Sequence, residues 1–166
     1  MLYPLGNHQD PPEGIAAHAT NAEKTEWSAA IVGPEDTPYS GGVFYLQLHC
    51  PPEYPLKPPT ARFITKIYHC NVSNEGEVCH EILRDKWSPV LTLAQVLVSI
   101  KSLLMNPNLG FSGIDGYASF PALKDSEGAE SAERAKCEQF KNDRAKYDQI
   151  AQEWTDKHAK GPCPVL

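Results

Sequence analysis

The distribution of proline constrains this chain more than any other single feature. It has 15 prolines in 166 residues, where average usage of roughly 5% would give about 8. Five of them, Pro51, Pro52, Pro55, Pro58 and Pro59, fall in one short stretch, while Ala122 to Gly161 contains none. Each proline fixes φ and restrains the residue before it, so the cluster predicts an extended, non-helical connection. The proline-free stretch is the place where long helices are permitted. An excess this local, with only 11 glycines, is unlike the spread-out enrichment of a collagen-like or disordered chain.

The segments on either side of the cluster carry strand periodicity. Trp27, Ala29 and Ile31 alternate with Ser28, Ala30 and Val32, and Phe44, Leu46, Leu48 and Cys50 share one side of Val43–Cys50. A third short strand fits Thr60 to Thr65. The turn-forming run Gly33-Pro34-Glu35-Asp36-Thr37-Pro38 separates the first two, which suggests an antiparallel meander with one buried face. Residues 1–25, polar and with Pro11-Pro12, read as an irregular lead-in. From Lys66 to Pro89 periodicity disappears and reactive side chains collect, as in an ordered functional loop. Thr92-Leu93-Ala94-Gln95 is a capping box, and Leu93, Val96, Leu97, Ile100, Leu103 and Leu104 form the stripe of a buried helix that Asn106-Pro107-Asn108 stops. Leu109 to Gly128 reads as loop, and a second helical region runs from about Ala129 to Ala159, with Phe140, Tyr147, Ile150, Ala151, Trp154 and His158 on its apolar face. Strands first and helices after is an α+β layout.

Composition narrows the function. Hydrophobic residues are 41% and charged residues 22%, as in a soluble globular domain. No apolar run approaches the ~18 residues of a membrane span, and the N-terminus has no basic or apolar region of a secretory signal. A net charge of −6 argues against nucleic-acid binding, which needs a basic footprint. The five cysteines, Cys50, Cys70, Cys79, Cys137 and Cys163, are an odd, sparse set that fits a reducing compartment better than a disulfide framework. No two have zinc-knuckle spacing, and no metal site is expected.

Four motifs carry a resemblance. They are Gly33-Pro34-Glu35-Asp36-Thr37-Pro38-Tyr39-Ser40-Gly41-Gly42-Val43-Phe44; Pro52-Glu53-Tyr54-Pro55-Leu56-Lys57-Pro58-Pro59; Tyr68-His69-Cys70-Asn71 followed by Gly76-Glu77-Val78-Cys79; and Trp87-Ser88-Pro89 with Leu91-Thr92-Leu93 and Asn106-Pro107-Asn108. In this order the chain resembles the ubiquitin-conjugating enzymes, and Lys141 to Ala159 is similar to that family's last helix. The resemblance implies a four-stranded antiparallel meander, a central helix across it and further helices at the C-terminal end. It implies an acyltransferase of an ATP-dependent pathway, with no cofactor of its own. A cysteine accepts ubiquitin as a thioester from an activating enzyme, and the acyl group passes to a substrate lysine, usually with a ligase bound. By motif the acceptor is Cys79 and the family's active-site asparagine is Asn71, supported by Tyr68 and His69. The family's ligase-contact surface would fall on Phe63, Ser88, Pro89 and Val90. The short loop from Leu83 to Trp87 favours the ubiquitin type over the SUMO type, and the family works in the cytoplasm and nucleus.

The chemistry has its own requirements. Acyl transfer between thiols needs an accessible thiolate, and the position of Cys79 between Gly76 and the polar Glu81 makes exposure the expectation. Lysine attack on the thioester builds charge on the carbonyl oxygen. The Asn71 carboxamide has two candidate jobs: stabilising that oxyanion, or holding the loop through backbone bonds. His69 reads as a loop histidine bonded to backbone. His80 points away from Cys79 if the segment is extended, which counts against a cysteine-hydrolase arrangement. Tyr54 and Trp87 read as anchors.

The chain also departs from the pattern. Residues 1–9, with Pro4 and Gly6, do not supply the family's amphipathic first helix, and Cys70 stands where proline is usual. An insertion within about 109–132 replaces the acidic loop beside the active site, leaving Asp115 as the nearest substitute in sequence. His80 replaces an aliphatic residue, so its titration near pH 6.5 is a candidate source of pH-dependent discharge. One catalytic domain over 1–166 is therefore expected, with an irregular lead-in at 1–12. The alternative is a catalytically impaired ubiquitin-binding or scaffold protein on the same fold.

Overall fold

A computed structural model describes residues 12–109 and 127–162. Its sheet has four antiparallel strands in sequence order: β1 (Ile15–Ala19), β2 (Glu26–Val32), β3 (Val43–His49) and β4 (Thr60–Phe63). The meander follows from the alternation. Ile31 lies opposite Phe44, Ala29 opposite Leu46, and Leu46 in turn opposite Phe63. Because side chains alternate along a strand, these residues share one face, and all are buried.

β1 corrects the reading of residues 1–25 as irregular. Ile15-Ala16-Ala17-His18-Ala19 is poor in strand-forming side chains, so its conformation comes from its partner, along which it pairs from Ile15↔Ile31 to Ala19↔Trp27. Asn21 sets the hairpin. Its Oδ1 accepts the backbone N–H groups of Thr25 (3.0 Å) and Glu26 (3.1 Å), and its Nδ2 donates to Thr25 Oγ1 at 2.7 Å. Residues 1–9, which were not expected to supply the family's first helix, lie outside the described residues.

The proline cluster forms the predicted β3–β4 connection and is tied down from outside. The Trp87 indole donates to the Pro55 carbonyl at 2.9 Å, and the Tyr54 and Trp87 rings lie 5.9 Å apart. These residues are anchors, as expected.

Helix α1 (Leu93–Met105) begins at the predicted box: Thr92 Oγ1 accepts Gln95 N–H, and Gln95 Oε1 accepts Thr92 N–H. All six stripe residues are buried, each worth about 1.5–3 kcal/mol of apolar transfer. The expected single region from Ala129 is two helices, α2 (Glu127–Asn142) and α3 (Arg144–His158). Asp143 divides them, its carboxylate accepting the Lys146 N–H at 3.2 Å as an N-cap. The helix from Glu127 also shortens the expected loop over 109–132. Among the described residues no helix is long and apolar enough to cross a membrane.

Candidate active site

Between β4 and α1 the chain folds a small hairpin that carries most of the reactive residues. Val72 and Val78 form an antiparallel bridge. Its tip is closed by Ser73, whose N–H donates to Glu77 O at 2.9 Å and whose Oγ accepts Glu77 N–H at 3.1 Å. Gly76 sits at the turn with φ +93°, and a Cβ there would lie 2.2 Å from Phe63 O. Glycine is required at this point, and the close approach lets Gly76 O accept Phe63 N–H at 2.8 Å. The hairpin is thereby fastened to β4.

Asn71 and Cys79 face each other across this bridge. The Cys79 N–H donates to the Asn71 carbonyl at 2.9 Å. Asn71 is held at both ends of its carboxamide: Nδ2 donates to Asn108 O and Oδ1 accepts Asn108 N–H, both at 2.9 Å. Of its two candidate jobs, the geometry displays the loop-holding one. The clamp joins the hairpin to the segment just past α1.

His69 is fully buried. Its Nε2 donates to Leu103 O at 3.0 Å and its Nδ1 accepts Asn71 N–H at 2.9 Å. Burial holds its pKa down at about 4, so the ring is a neutral spacer between α1 and the hairpin. Tyr68 packs against Tyr147 and Trp154 at 5.4 and 5.8 Å, and its hydroxyl donates to Gln139 at 2.7 Å. Both support the loop from below.

Cys79 departs from expectation. It is only 5% exposed, because the hairpin packs it inward. Burial pushes its thiol up to about 11, against the lowering pull of the Arg84 charge.

Residues 5–112 match the family model for ubiquitin-conjugating enzymes. The chain belongs to that family. Ubiquitin conjugation is a transferase activity, and the family's general partners are ubiquitin, an activating enzyme and ligases. The α+β meander with its crossing and C-terminal helices is the family's fold.

The remaining expected positions separate. Pro89 and Val90 are exposed, Val90 by 82%, and Ser88 is half-buried in the turn closed by Leu91 N–H on Ser88 O at 2.9 Å. Phe63 corrects the expected ligase surface. It is 3% exposed, its ring edge-on to Phe44, because alternation along β4 turns it into the core. Asp115 lies outside the described residues. His80 serves its own turn. Its Nδ1 accepts Ile82 N–H at 3.0 Å and caps the 3-10 turn Glu81–Leu83, and burial lowers its pKa below the usual histidine value.

Sequence reasoning passed over three groups. Arg84 gave no motif signal. Asn108 was read as a helix stop and as part of a family motif, not as the partner of Asn71. Glu133 and Lys136 on α2 look like a solvated i,i+3 pair, yet both are buried, 3.7 Å apart. Glu133 Oε1 accepts Asn74 N–H at 3.2 Å and Lys136 Nζ donates to Val72 O at 3.1 Å, so α2 grips the hairpin that carries Asn71 and Cys79. Among the described residues no group of three or more His, Cys, Asp or Glu is placed to hold a metal.

Proposed function

We propose that Cys79 accepts the C-terminal carboxyl of ubiquitin as a thioester from the activating enzyme and passes it to a substrate lysine, usually with a ligase bound at the exposed Pro89–Val90 turn. The observation that carries this reading is the Asn71–Cys79 bridge, in which the acceptor's own N–H is bonded to the asparagine that anchors the hairpin. In the first step the Cys79 sulfur attacks the carbonyl carbon of the incoming thioester, the old C–S bond breaks, and the departing sulfur takes up the proton that Cys79 gives up. In the second, a neutral lysine amine attacks, the C–S bond to Cys79 breaks, and the amine's proton ends on the departing Cys79 sulfur, which regenerates the thiol.

A thiol raised to about 11 suits this sequence. A poor leaving group keeps the thioester from discharging before an amine is positioned, while the small thiolate fraction is intrinsically strong as a nucleophile. Asn71 acts as a positioning residue through its clamp on Asn108. The same reading places the protein in the cytoplasm, the nucleus or both, where thiols stay reduced.

A second reading, a non-catalytic ubiquitin-binding or scaffold protein, is favoured by the burial of Cys79. One gel separates the two. Incubation with activating enzyme, ATP and ubiquitin, followed by non-reducing electrophoresis, gives a thiol-sensitive adduct that Cys79→Ala abolishes. No adduct at high enzyme concentration establishes the scaffold.

A further inference from the structure

One face of α2 lies against the segment that carries Asn71 and Cys79. Glu133, Lys136 and Cys137, spaced i, i+3 and i+4, share that face. All three are buried, Glu133 completely and Lys136 down to 6% exposure. Each reaches backbone rather than a side chain. Glu133 Oε1 accepts Asn74 N–H at 3.2 Å, Lys136 Nζ donates to Val72 O at 3.1 Å, and Cys137 Sγ donates to Cys70 O at 3.5 Å. The Lys136 ammonium also lies 5.7 Å from the centre of the Tyr68 ring. Val72 follows Asn71, and its bridge partner Val78 precedes Cys79. The ammonium therefore takes hold of the hairpin one residue from Asn71 and, across the bridge, one residue from Cys79.

Stability does not account for these charges. Two buried charges 3.7 Å apart gain little over apolar residues of the same volume. Glu133 Oε2 is buried with no hydrogen-bond partner among the described residues, which adds to the cost. What apolar side chains cannot supply is direction. A carboxylate fixes an N–H and an ammonium fixes a carbonyl, so the two bonds set where the hairpin sits along α2. We propose that Glu133 and Lys136 are positioning residues of the acyl transfer, holding the hairpin so that Cys79 and Asn71 keep their places. The proposal rests on Cys79 being the acceptor. Asn71 ties the hairpin to the segment after α1, and the buried pair ties it to α2. The acceptor is thus braced from two helices, by groups that neither give nor take a proton in either transfer step.

The test compares the wild type with the double variant Glu133→Leu, Lys136→Met, which removes both charges and keeps the space filled. Urea denaturation establishes that the variant is folded. Amide hydrogen exchange by NMR then reads the hairpin, and single-turnover discharge of the thioester to free lysine reads the transfer. The Val78 and Cys79 amides are expected to exchange about tenfold faster while those of the β2–β3 ladder keep their rates, and maximal discharge to fall about tenfold at an unchanged half-saturating lysine concentration. A merely structural pair, replaced by apolar packing, leaves both readouts at wild-type values and overturns the proposal, as does a change in either readout without the other. Asn74→Pro supplies a second arm that leaves α2 intact and decides the matter should the double variant not fold. The turn closed by Gly76 N–H on Ser73 O at 3.0 Å puts Asn74 where proline is favoured, so the substitution deletes only the N–H that Glu133 accepts. The same two effects are expected at about threefold, and wild-type values in this variant equally overturn the proposal. Failure of the wild type to form a thioester sinks the acceptor reading, whereas normal charging with unchanged hairpin exchange sinks the role of Glu133 and Lys136 alone.

Discussion

Replacing Asn71 by alanine removes two hydrogen bonds at once. Both run to the backbone of Asn108 at 2.9 Å, so one N–H and one C=O on the segment after α1 lose their partners. Asn71 itself is 2% exposed, while Asn108 is half-buried. Water therefore reaches the freed groups in part, and the cost stays near the net value of a hydrogen bond, about 1 kcal/mol each, rather than the full penalty of stranding them. Loss of the buried carboxamide's packing adds up to about 1 kcal/mol, for a total of about 2–3 kcal/mol. For a domain of this size that lowers the melting temperature by roughly 5–10 °C. Asn71→Asp keeps the acceptor for Asn108 N–H but sets an anionic oxygen against Asn108 O, and it is at least as destabilised. Urea denaturation gives the free energies and single-turnover thioester assays give the rates. If Asn71 acts by positioning, charging and lysine discharge fall together with stability. An alanine variant that keeps wild-type stability within 0.5 kcal/mol and loses only lysine discharge refutes the clamp and restores the oxyanion job.

Other outcomes are equally specific. Gly76→Ala places a Cβ 2.2 Å from Phe63 O at φ +93°, and is expected to lose about 2–3 kcal/mol in urea denaturation from backbone strain and the broken Phe63–Gly76 bond; a loss under 1 kcal/mol contradicts the described turn. His69, held down at about 4 from 6.5, is neutral in both states above pH 6.5. On acidification the unfolded chain takes the proton first, so this residue withdraws about 3 kcal/mol of stability between pH 6.5 and 4. Its ring resonances in NMR should stay neutral down to pH 5, and a midpoint above 6 rules the geometry out. Lys136→Met leaves the buried Glu133 carboxylate without its counter-charge and costs about 3–5 kcal/mol, whereas the double variant with Glu133→Leu recovers most of it. A double variant as unstable as the single one shows that the pair is not energetically coupled.

The parts of the fold written locally were legible. Thr92 and Gln95 signal a helix start because a capping box involves only neighbours, and Phe44, Leu46 and Leu48 signal a strand because alternation is local. β1 was not legible, since Ala16, Ala17 and Ala19 become a strand only through pairing with β2. The start of α2 was missed because Glu127-Gly128-Ala129-Glu130 has no apolar period to read. At the site, motif spacing brought Asn71 and Cys79 together, but the exposure expected of Cys79 from its polar sequence neighbours did not hold. That Cys79 is 5% exposed depends on how the hairpin packs. Glu133 and Lys136 carry the i,i+3 spacing of a surface pair, and only the docking of α2 on the hairpin distinguishes buried from solvated.

Proline, which first marked the chain as something other than a disordered one, has a further consequence for the site. The cluster over 51–59 connects β3 to β4, yet its firmest tie runs elsewhere: Trp87 donates to Pro55 O and its ring meets Tyr54. Trp87 immediately precedes Ser88, Pro89 and Val90, the turn proposed to face a ligase. With Phe63 turned into the core, that turn depends for its position on the stiffness of the proline connection. A backbone whose φ angles are fixed has little entropy left to lose on binding. Rigidity in that segment is thus passed through one indole to the exposed Pro89 and Val90. On these terms the proline cluster belongs to the proposed recognition turn as much as to the fold.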